Sequence, residues 1–479
     1  MAIVQLPVSK GLVTDRAEAD WLDSLPVNMV AVPKPVLDAA GYMRSWPGLS
    51  FEMASSGTAR GAVFNVVDDE VYRVTGTKLI NSEGTELADV AGDGFAPMPF
   101  SRNTQAIVSD GKLQFWDSDK EELSELENWA SGEKRSGSTA TTFDISNITD
   151  AVRNRSRYAW ISRDSGLFGV TDLENEQRPD FVAPFYSAES EPDRNIAIDA
   201  WKGYLVIFGR FTVEYFGLTG SSENIYSPVQ SLTVRAGIIG RGCKCQYLDS
   251  FAILGGPQFE PPSVYIIANG SYREIANRRV QKILRNYSFS EIEQAAYMEP
   301  VKFDGHEFLM IHLPDDVLIY DHAAGQGQIL PWSVLKSDID GSRPYRGIYH
   351  INSGNAWTVG DKRDPIISEL NFSDARHHGE EVEYVLETPM FQVRNKRVFD
   401  LELDNIPGRT HAEHRLAFSV TYDGITFGQE HWIHFDEALN YTERVLARRI
   451  GYVRNNIGFR LRWITDNPSV VSSCRIRVE

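Results

Sequence analysis

Short β-favouring runs separated by turn residues recur along the middle of the chain. EVYRVTGTKLIN, residues 70–81, holds two such runs about Thr75-Gly76, and TQAIVSDGKLQFWD, 104–117, repeats the form about Asp110-Gly111. Glycine there supplies the positive φ of a hairpin turn. RYAWISRDSGLFGVTD (157–172) and GYLVIFGRFTVEYFG (203–217) follow, and FAILGGPQFEPPSVYIIANGSYREI (251–275) gives three runs with a hairpin signal at Asn269-Gly270. HEFLMIHLPDDVLIYD (306–321), then QILPWSVL, and GIYHINSGNAWTVGDKRDPIISEL (347–370) complete seven antiparallel units between residues 61 and 372. The units recur about every 46 residues, the range of propeller blades, although no sequence signature repeats. A small antiparallel sheet cannot bury both faces alone, so the pattern predicts an all-β protein with a β-propeller of six or seven blades over 61–375.

One segment breaks the rhythm. ANRRVQKILRNYSFSEIEQAAYM, 276–298, sets Val280, Ile283, Leu284 and Tyr287 on one helical face. Ser290 with Glu293 reads as a capping box for a second short helix. Arg278, Arg279, Lys282 and Arg285 then form a basic, solvated outer face on an insertion between blades.

From residue 376 to 479 the strands lengthen: TPMFQVRNKRVFDLELDN, RLAFSVTYDGITFGQEHWIHF, GFRLRWIT and SSCRIRVE predict a β-sandwich-like platform domain. Residues 1–60, rich in proline and without a period, read as an extended arm packing on the platform or first blade. In IGFRLRWIT the alternation buries Ile457, Phe459, Leu461 and Trp463 and turns Arg460 and Arg462 outward; in CRIRVE it exposes Arg475 and Arg477. If these strands pair, four guanidinium groups line one outer face, a candidate interface to another chain.

Charge makes those arginines conspicuous. The chain has 479 residues and a formal net charge of -18, yet RVLARRIGYVRNNIGFRLR, 444–462, carries six arginines and no acid, so removing six positive charges from -18 leaves -24 on the rest. Those arginines therefore either meet a polyanion or pair with carboxylates, on this chain or another. The acidic balance argues against a general nucleic-acid binder. The runs DSDKEELSELE (117–127) and DLENEQRPD (172–180) read as solvated loops; in a ring of several copies they make a negative lumen in which DNA slides. MAIVQLPVSKG lacks the basic leader and apolar core of a signal peptide, no run approaches a membrane span, and three cysteines (Cys243, Cys245, Cys474) make no disulfide framework, which together predict a soluble protein of a reducing compartment.

Catalytic signals are sparse. SRDSGLFG, 162–169, has the Ser, Asp and Gly of the sialidase Asp box, but Gly169 stands where that box has an aromatic residue. His411 with His414 and His431 with His434 share a three-residue spacing in apparent strands or loops, without a joining carboxylate or thiol motif, so they read as surface histidines rather than a metal site. No phosphate- or dinucleotide-binding loop follows a strand, and no cofactor is expected.

Several segments together resemble a known family: LPVNMVAVPKPVLDAAGYMRSWPG, NRSRYAWISRDSGLFGVTDLE, AESEPD, TVEYFGLTG, PSVYII, FDGHEFLMIHLP and RVLARRIGYVRNNIGFRLRWIT. They are similar to the tail hub, or packaged-DNA stabilisation protein, of short-tailed bacteriophages, from about residue 5 to the C-terminus. The resemblance implies a structural head-completion factor of the virion, assembled in the host cytoplasm, with no catalytic or cofactor residues. It implies a six-fold ring beneath the portal-bound adaptor protein that receives the tail needle, meets the tailspikes and passes DNA without reading its sequence. The competing classes are a sialidase-like propeller glycosidase, which requires convergent carboxylates and an arginine cluster at the propeller mouth, and a host-surface adhesin, which requires exposed sugar-stacking aromatics.

Overall fold

The computed structural model describes all residues except 1, 12, 16–19, 37–38, 128–144, 146, 181, 189–192, 355, 409 and 443. Most of the AESEPD segment lies outside the described residues. The middle of the chain forms seven antiparallel sheets arranged as blades, each with its first strand innermost and its later strands stepping outward. Among the described residues the ring has seven blades. Blade 1 runs Ala59–Asn65, Glu70–Thr75, Lys78–Ile80 and Glu86–Asp89. Blade 2 has three regular strands, Gln105–Ser109, Lys112–Asp117 and Glu122–Glu125, and its inner edge is completed by residues 97–99, whose carbonyls accept from Ala106 and Val108. Blades 3 and 4 begin with Ile148–Asn154 and Asn195–Trp201. Blade 5 is built around Ser250–Gly256, blade 6 around His306–His312.

Blade 7 explains the first 60 residues. Its strands Gly347–Asn352, Trp357–Asp361 and Ile366–Asn371 take their fourth, outer partner from Gly48–Ala54, so the two ends of the propeller segment share one sheet and close the ring. Ala2–Leu6, Met29–Val32 and Tyr42–Ser45 instead join the C-terminal sandwich. What reads as an arm is therefore stitched into two sheets, and its lack of period reflects that it serves several neighbours in turn.

Local chemistry sets the hairpins. Asp110 and Gly111 adopt φ of 50° and 73°, Asn269 and Gly270 φ of 50° and 75°. Two consecutive left-handed residues give the turn whose twist matches the flanking strands. Polar side chains then pin each blade to the next. Arg60 donates to Ser109 across blades 1 and 2, Tyr158 to Thr104 across 2 and 3, and Ile198 N–H to Asp150 across 3 and 4. Lys244 reaches Asp199 (2.9 Å) between blades 4 and 5, Tyr247 donates to the Glu307 carbonyl between 5 and 6, His350 meets Glu299 between 6 and 7, and Arg73 returns to Thr358 (2.6 Å) to join blade 1 to blade 7. Buried hydrogen bonds are costly to leave unmade, so each seam specifies its neighbour as well as sealing it.

The insertion between blades 5 and 6 comprises helices Arg278–Leu284 and Phe289–Ala295. Val280 and Leu284 are buried as the periodicity predicts. The capping box is formed by Ser288 and Glu291, not by Ser290 and Glu293. Both pairs have the required spacing, and the first wins because Ser288 has the extended backbone of an N-cap, whereas Ser290 already lies within the helix. The helix ends earlier than expected, since Tyr297 and Met298 open the inner strand of blade 6, Tyr297–Phe303.

The C-terminal region is a sandwich of two sheets. One contains Lys396–Asn405 between Val445–Val453 and Val470–Val478, extended by the N-terminal strands; the other contains Asn456–Ile464 between Glu383–Glu387 and His414–Thr421, with His431–Asp436 at its edge. Leu401, Leu403, Cys474 and Ile476 of the first sheet pack against Tyr384, Phe418, Leu461 and Trp463 of the second. Residues 26–28 bind the two bodies. Val27 bridges both Val334 on the outer strand of blade 6 and Val385 of the sandwich. Among the described residues no helix is long and apolar enough to cross a membrane.

Candidate functional site

The alternation that turns Arg460, Arg462, Arg475 and Arg477 outward is present on both strands: Phe459, Leu461, Trp463, Cys474 and Ile476 are buried and the arginines between them reach the surface. The two strands do not pair. Asn456–Ile464 and Val470–Val478 lie in opposite sheets of the sandwich, so the four guanidinium groups form two separate pairs on opposite outer faces. A five-residue link, 465–469, lets the chain cross from one sheet to the other, and nothing in either strand's alternation distinguishes crossing from a hairpin.

Each arginine meets carboxylates of its own chain. Arg462 makes a bidentate contact with Glu430 (3.0 and 2.6 Å) and a second contact with Glu383 (2.7 Å). Its guanidinium is pushed further above its ordinary value by those two hydrogen-bonded acids. Arg460 pairs with Glu387 (2.7 Å) and lies 3.8 Å from the centre of the Phe427 ring. On the other face Arg475 pairs with Asp404 and Arg477 with Asp400. Arg444 adds Glu402 (2.7 Å) to the same row. The missed signal is the alternation of FDLELDN, which places Asp400, Glu402 and Asp404 on one side of Lys396–Asn405, opposite the arginines of Val470–Val478. Arg448, Arg449 and Arg454 of the basic stretch are exposed. Three of the six arginines of the basic stretch, Arg444, Arg460 and Arg462, are thus met by carboxylates within the chain, and the faces they share with those acids are mixed in charge.

The acidic runs divide. The run 117–127 is a surface turn, in which Lys120 pairs with Asp117 (2.6 Å), followed by Glu122–Glu125, the outer strand of blade 2. The run 172–180 is not a solvated loop. Glu176 accepts from Ser101 (2.7 Å), Thr104 (2.8 Å) and Arg153 (2.9 Å), and Asp180 pairs with Arg157 (2.5 Å), so these acids clamp blade 3 and reach blade 2. Sequence charge alone misreads them because their partners come from distant positions.

The Asp-box-like segment is the hairpin between Arg157–Ser162 and Leu167–Val170. Gly169 lies against the Trp160 indole, where a Cβ would approach within 2.3 Å, so a buried tryptophan on the neighbouring strand fills the aromatic position. His414 contacts Asp466 (3.1 Å), while His434 lies 3.5 Å from Glu413. Among the described residues no cluster of three or more His, Cys, Asp or Glu has the geometry to hold a metal ion. Cys243, Cys245 and Cys474 are free and buried, and burial pushes the Cys243 thiol up to about 12.

Seven blades clasped to a two-sheet sandwich, with paired charges on its outer faces, define a propeller–sandwich protein. Residues 4–375 match the family described as bacteriophage P22 Gp10, β-propeller, and residues 383–479 match bacteriophage P22 Gp10, β-sandwich. The chain belongs to the P22 Gp10 family. The tail hub protein gp10 of Salmonella phage P22 is 39% identical over 482 residues, spanning 100% of both chains. Among solved structures, the extracellular domain of the two-component system BT4673 from B. thetaiotaomicron aligns with a TM-score of 0.43 at 7% identity, over 84% of this chain and 47% of that one. The Pan2 WD40 domain of Neurospora crassa aligns with a TM-score of 0.38 at 11% identity, over 72% and 94%.

Proposed function

We propose that this protein is the tail hub of a short-tailed phage, a structural component of the virion tail. The observation that carries this reading is the full-length identity to a tail hub across both propeller and sandwich, which leaves no segment of either chain without a counterpart. In this role the chain adds as a six-fold ring beneath the portal-bound adaptor, retains packaged DNA, extends the ejection channel, receives the needle and supports the tailspikes. The role is architectural rather than enzymatic.

The arginine faces fit assembly. Mixed rows of carboxylate and guanidinium groups suit a protein partner, whereas a conduit for DNA is better served by a surface that adds little phosphate affinity. Arg460 with Arg462, and separately Arg475 with Arg477, are the candidate contacts to a neighbouring copy or the adaptor. Particles assembled without the protein should package DNA and then leak it. Particles that hold their genome stably without it would overturn the hub reading. Charge reversal by Arg460→Glu with Arg462→Glu should block incorporation into particles, while normal incorporation would remove that face from the interface.

A further inference from the structure

The propeller carries a second arrangement of arginines on the face where the inner strands begin. A cleft of about 840 Å³ opens there, lined from blade 3 by Thr149 and Arg163, from blade 4 by Asn195, Arg210 and Phe211, from blade 5 by Ile239 and Arg241, and by Glu293 of the helical insertion. Arg163 and Arg241 also border an adjoining cleft of about 300 Å³.

Three features make this cleft a built site rather than a groove. Arg210 and Arg241 are half-buried, and among the described residues neither has a carboxylate at ion-pair distance. Their only hydrogen bonds there are to the Ile238 and Thr149 carbonyls, supplemented by the Phe289 and Phe95 rings. Burial lowers both guanidinium groups from their ordinary value. Asn195 is 6% exposed, and among the described residues its side-chain Nδ2 has no acceptor. Donors held without acceptors carry a desolvation cost that a bound acceptor removes. The lining acids are engaged or peripheral: Asp164 pairs with Arg194, Asp193 accepts from Phe211 N–H (2.8 Å) and Thr212 (3.1 Å), and Glu293 is exposed at the rim.

We propose that this cleft binds an organic carboxylate, with Arg210, Arg241 and Asn195 as donors and Arg163 at the entrance. Among the described lining residues, Arg163, Arg194, Arg210 and Arg241 against Asp164, Asp193 and Glu293 leave one positive formal charge, which matches a monoanion better than a phosphate dianion. Phe211, Ile196 and Ile239 give the cleft an apolar flank, and its volume suits a group of monosaccharide or amino-acid size. A sugar acid and an acidic side chain from another protein share this chemistry.

Titration calorimetry on the full chain separates them, the tighter-binding of the two carboxylate probes naming the source. D-glucuronate or N-acetylglutamate amide should bind at one site, while their neutral counterparts, glucose and N-acetylglutamine amide, should not. Arg241→Gln and Arg210→Gln should each weaken binding about tenfold or more, the loss expected for a charge-assisted hydrogen bond. Arg415→Gln, on an exposed sandwich arginine, should not. Arg210→Gln serves as the second variant if loss of the Arg241–Phe95 contact unfolds the chain. Failure of both carboxylates to bind, tighter binding of inorganic phosphate, or undiminished binding by Arg210→Gln would each overturn the proposal.

Discussion

Asn28 donates from Nδ2 to the Glu383 carbonyl at 2.8 Å, across the junction between the propeller and the sandwich. Its Oδ1 accepts from Lys336 N–H at 2.8 Å, just beyond the outer strand of blade 6. One 3% exposed amide thus holds both bodies, and its backbone sits at φ 57°, a conformation asparagine tolerates better than most residues. Asn28→Ala should destabilise the chain by about 2–4 kcal/mol, since two buried groups lose their partner and the backbone is strained. Asn28→Gly relieves the strain but not the lost bonds, so its urea midpoint should lie between those of wild type and Asn28→Ala. Equal midpoints for wild type and Asn28→Gly would remove the side chain from the junction.

Gly169 offers a sharper local test. A Cβ there would lie 2.3 Å from two atoms of the Trp160 ring, and Trp160 is 1% exposed within the core of blades 2 and 3. Gly169→Ala should cost about 1–3 kcal/mol through overpacking. The shift should be accompanied by a changed tryptophan emission, because the indole must move or the strand must part from it.

Hairpins were the most legible part of the sequence because their signals are local: Asn269-Gly270 and Asp110-Gly111 carry the turn and the flanking alternation together. The closing strand Gly48–Ala54 was not legible, since its partner Ile366–Asn371 lies some three hundred residues away and no local pattern names it. The same limit governs the arginines. Alternation placed Arg460, Arg462, Arg475 and Arg477 outward, but the assignment of their strands to opposite sheets depends on long-range pairing. The cleft arginines Arg210 and Arg241 are invisible for a further reason: they stand beside strand ends in successive blades, and only the packing of blade 4 against blade 5 brings them together.

The seam between blades 6 and 7 predicts a pH response. Glu299 Oε1 accepts from His312 Nε2 and His350 Nδ1, both at 2.8 Å, and Oε2 accepts from His350 N–H at 2.8 Å. Burial opposes the Glu299 charge, but the two imidazoles hold the carboxyl well below the usual carboxylate range. Burial, with Lys362 nearby, pushes His312 down to about 4. Both folded-state values lie below their unfolded ones, so the unfolded chain takes up more protons and stability falls as pH falls. The His312 contribution should be lost between about pH 6.5 and 4, that of Glu299 below about 4.3. Urea midpoints should therefore drop from pH 7.5 to 4.5, and His312→Gln should flatten the upper part of that decline. A variant profile parallel to wild type would contradict the assignment.

The row formed by Asp400, Asp404, Arg475 and Arg477 permits a test that separates assembly from folding. Arg475→Glu with Arg477→Glu places like charges beside Asp400 and Asp404 on the outer face of the sheet. Exposed pairs contribute only about 0–1 kcal/mol each, so the isolated chain should still fold, with a modestly lowered midpoint. The compensating exchange Arg475→Asp with Asp404→Arg keeps one pair and the net charge while moving the guanidinium to the neighbouring strand. If the row serves only the sandwich, the exchange should assemble normally. If it meets a partner of fixed geometry, both variants should fail to enter particles even though the exchange restores stability, because a partner carboxylate would then face the wrong sign. Particle incorporation measured beside urea midpoints distinguishes these cases: loss of incorporation at wild-type stability assigns the row to an interface, and normal incorporation of both variants returns it to the sandwich's own surface.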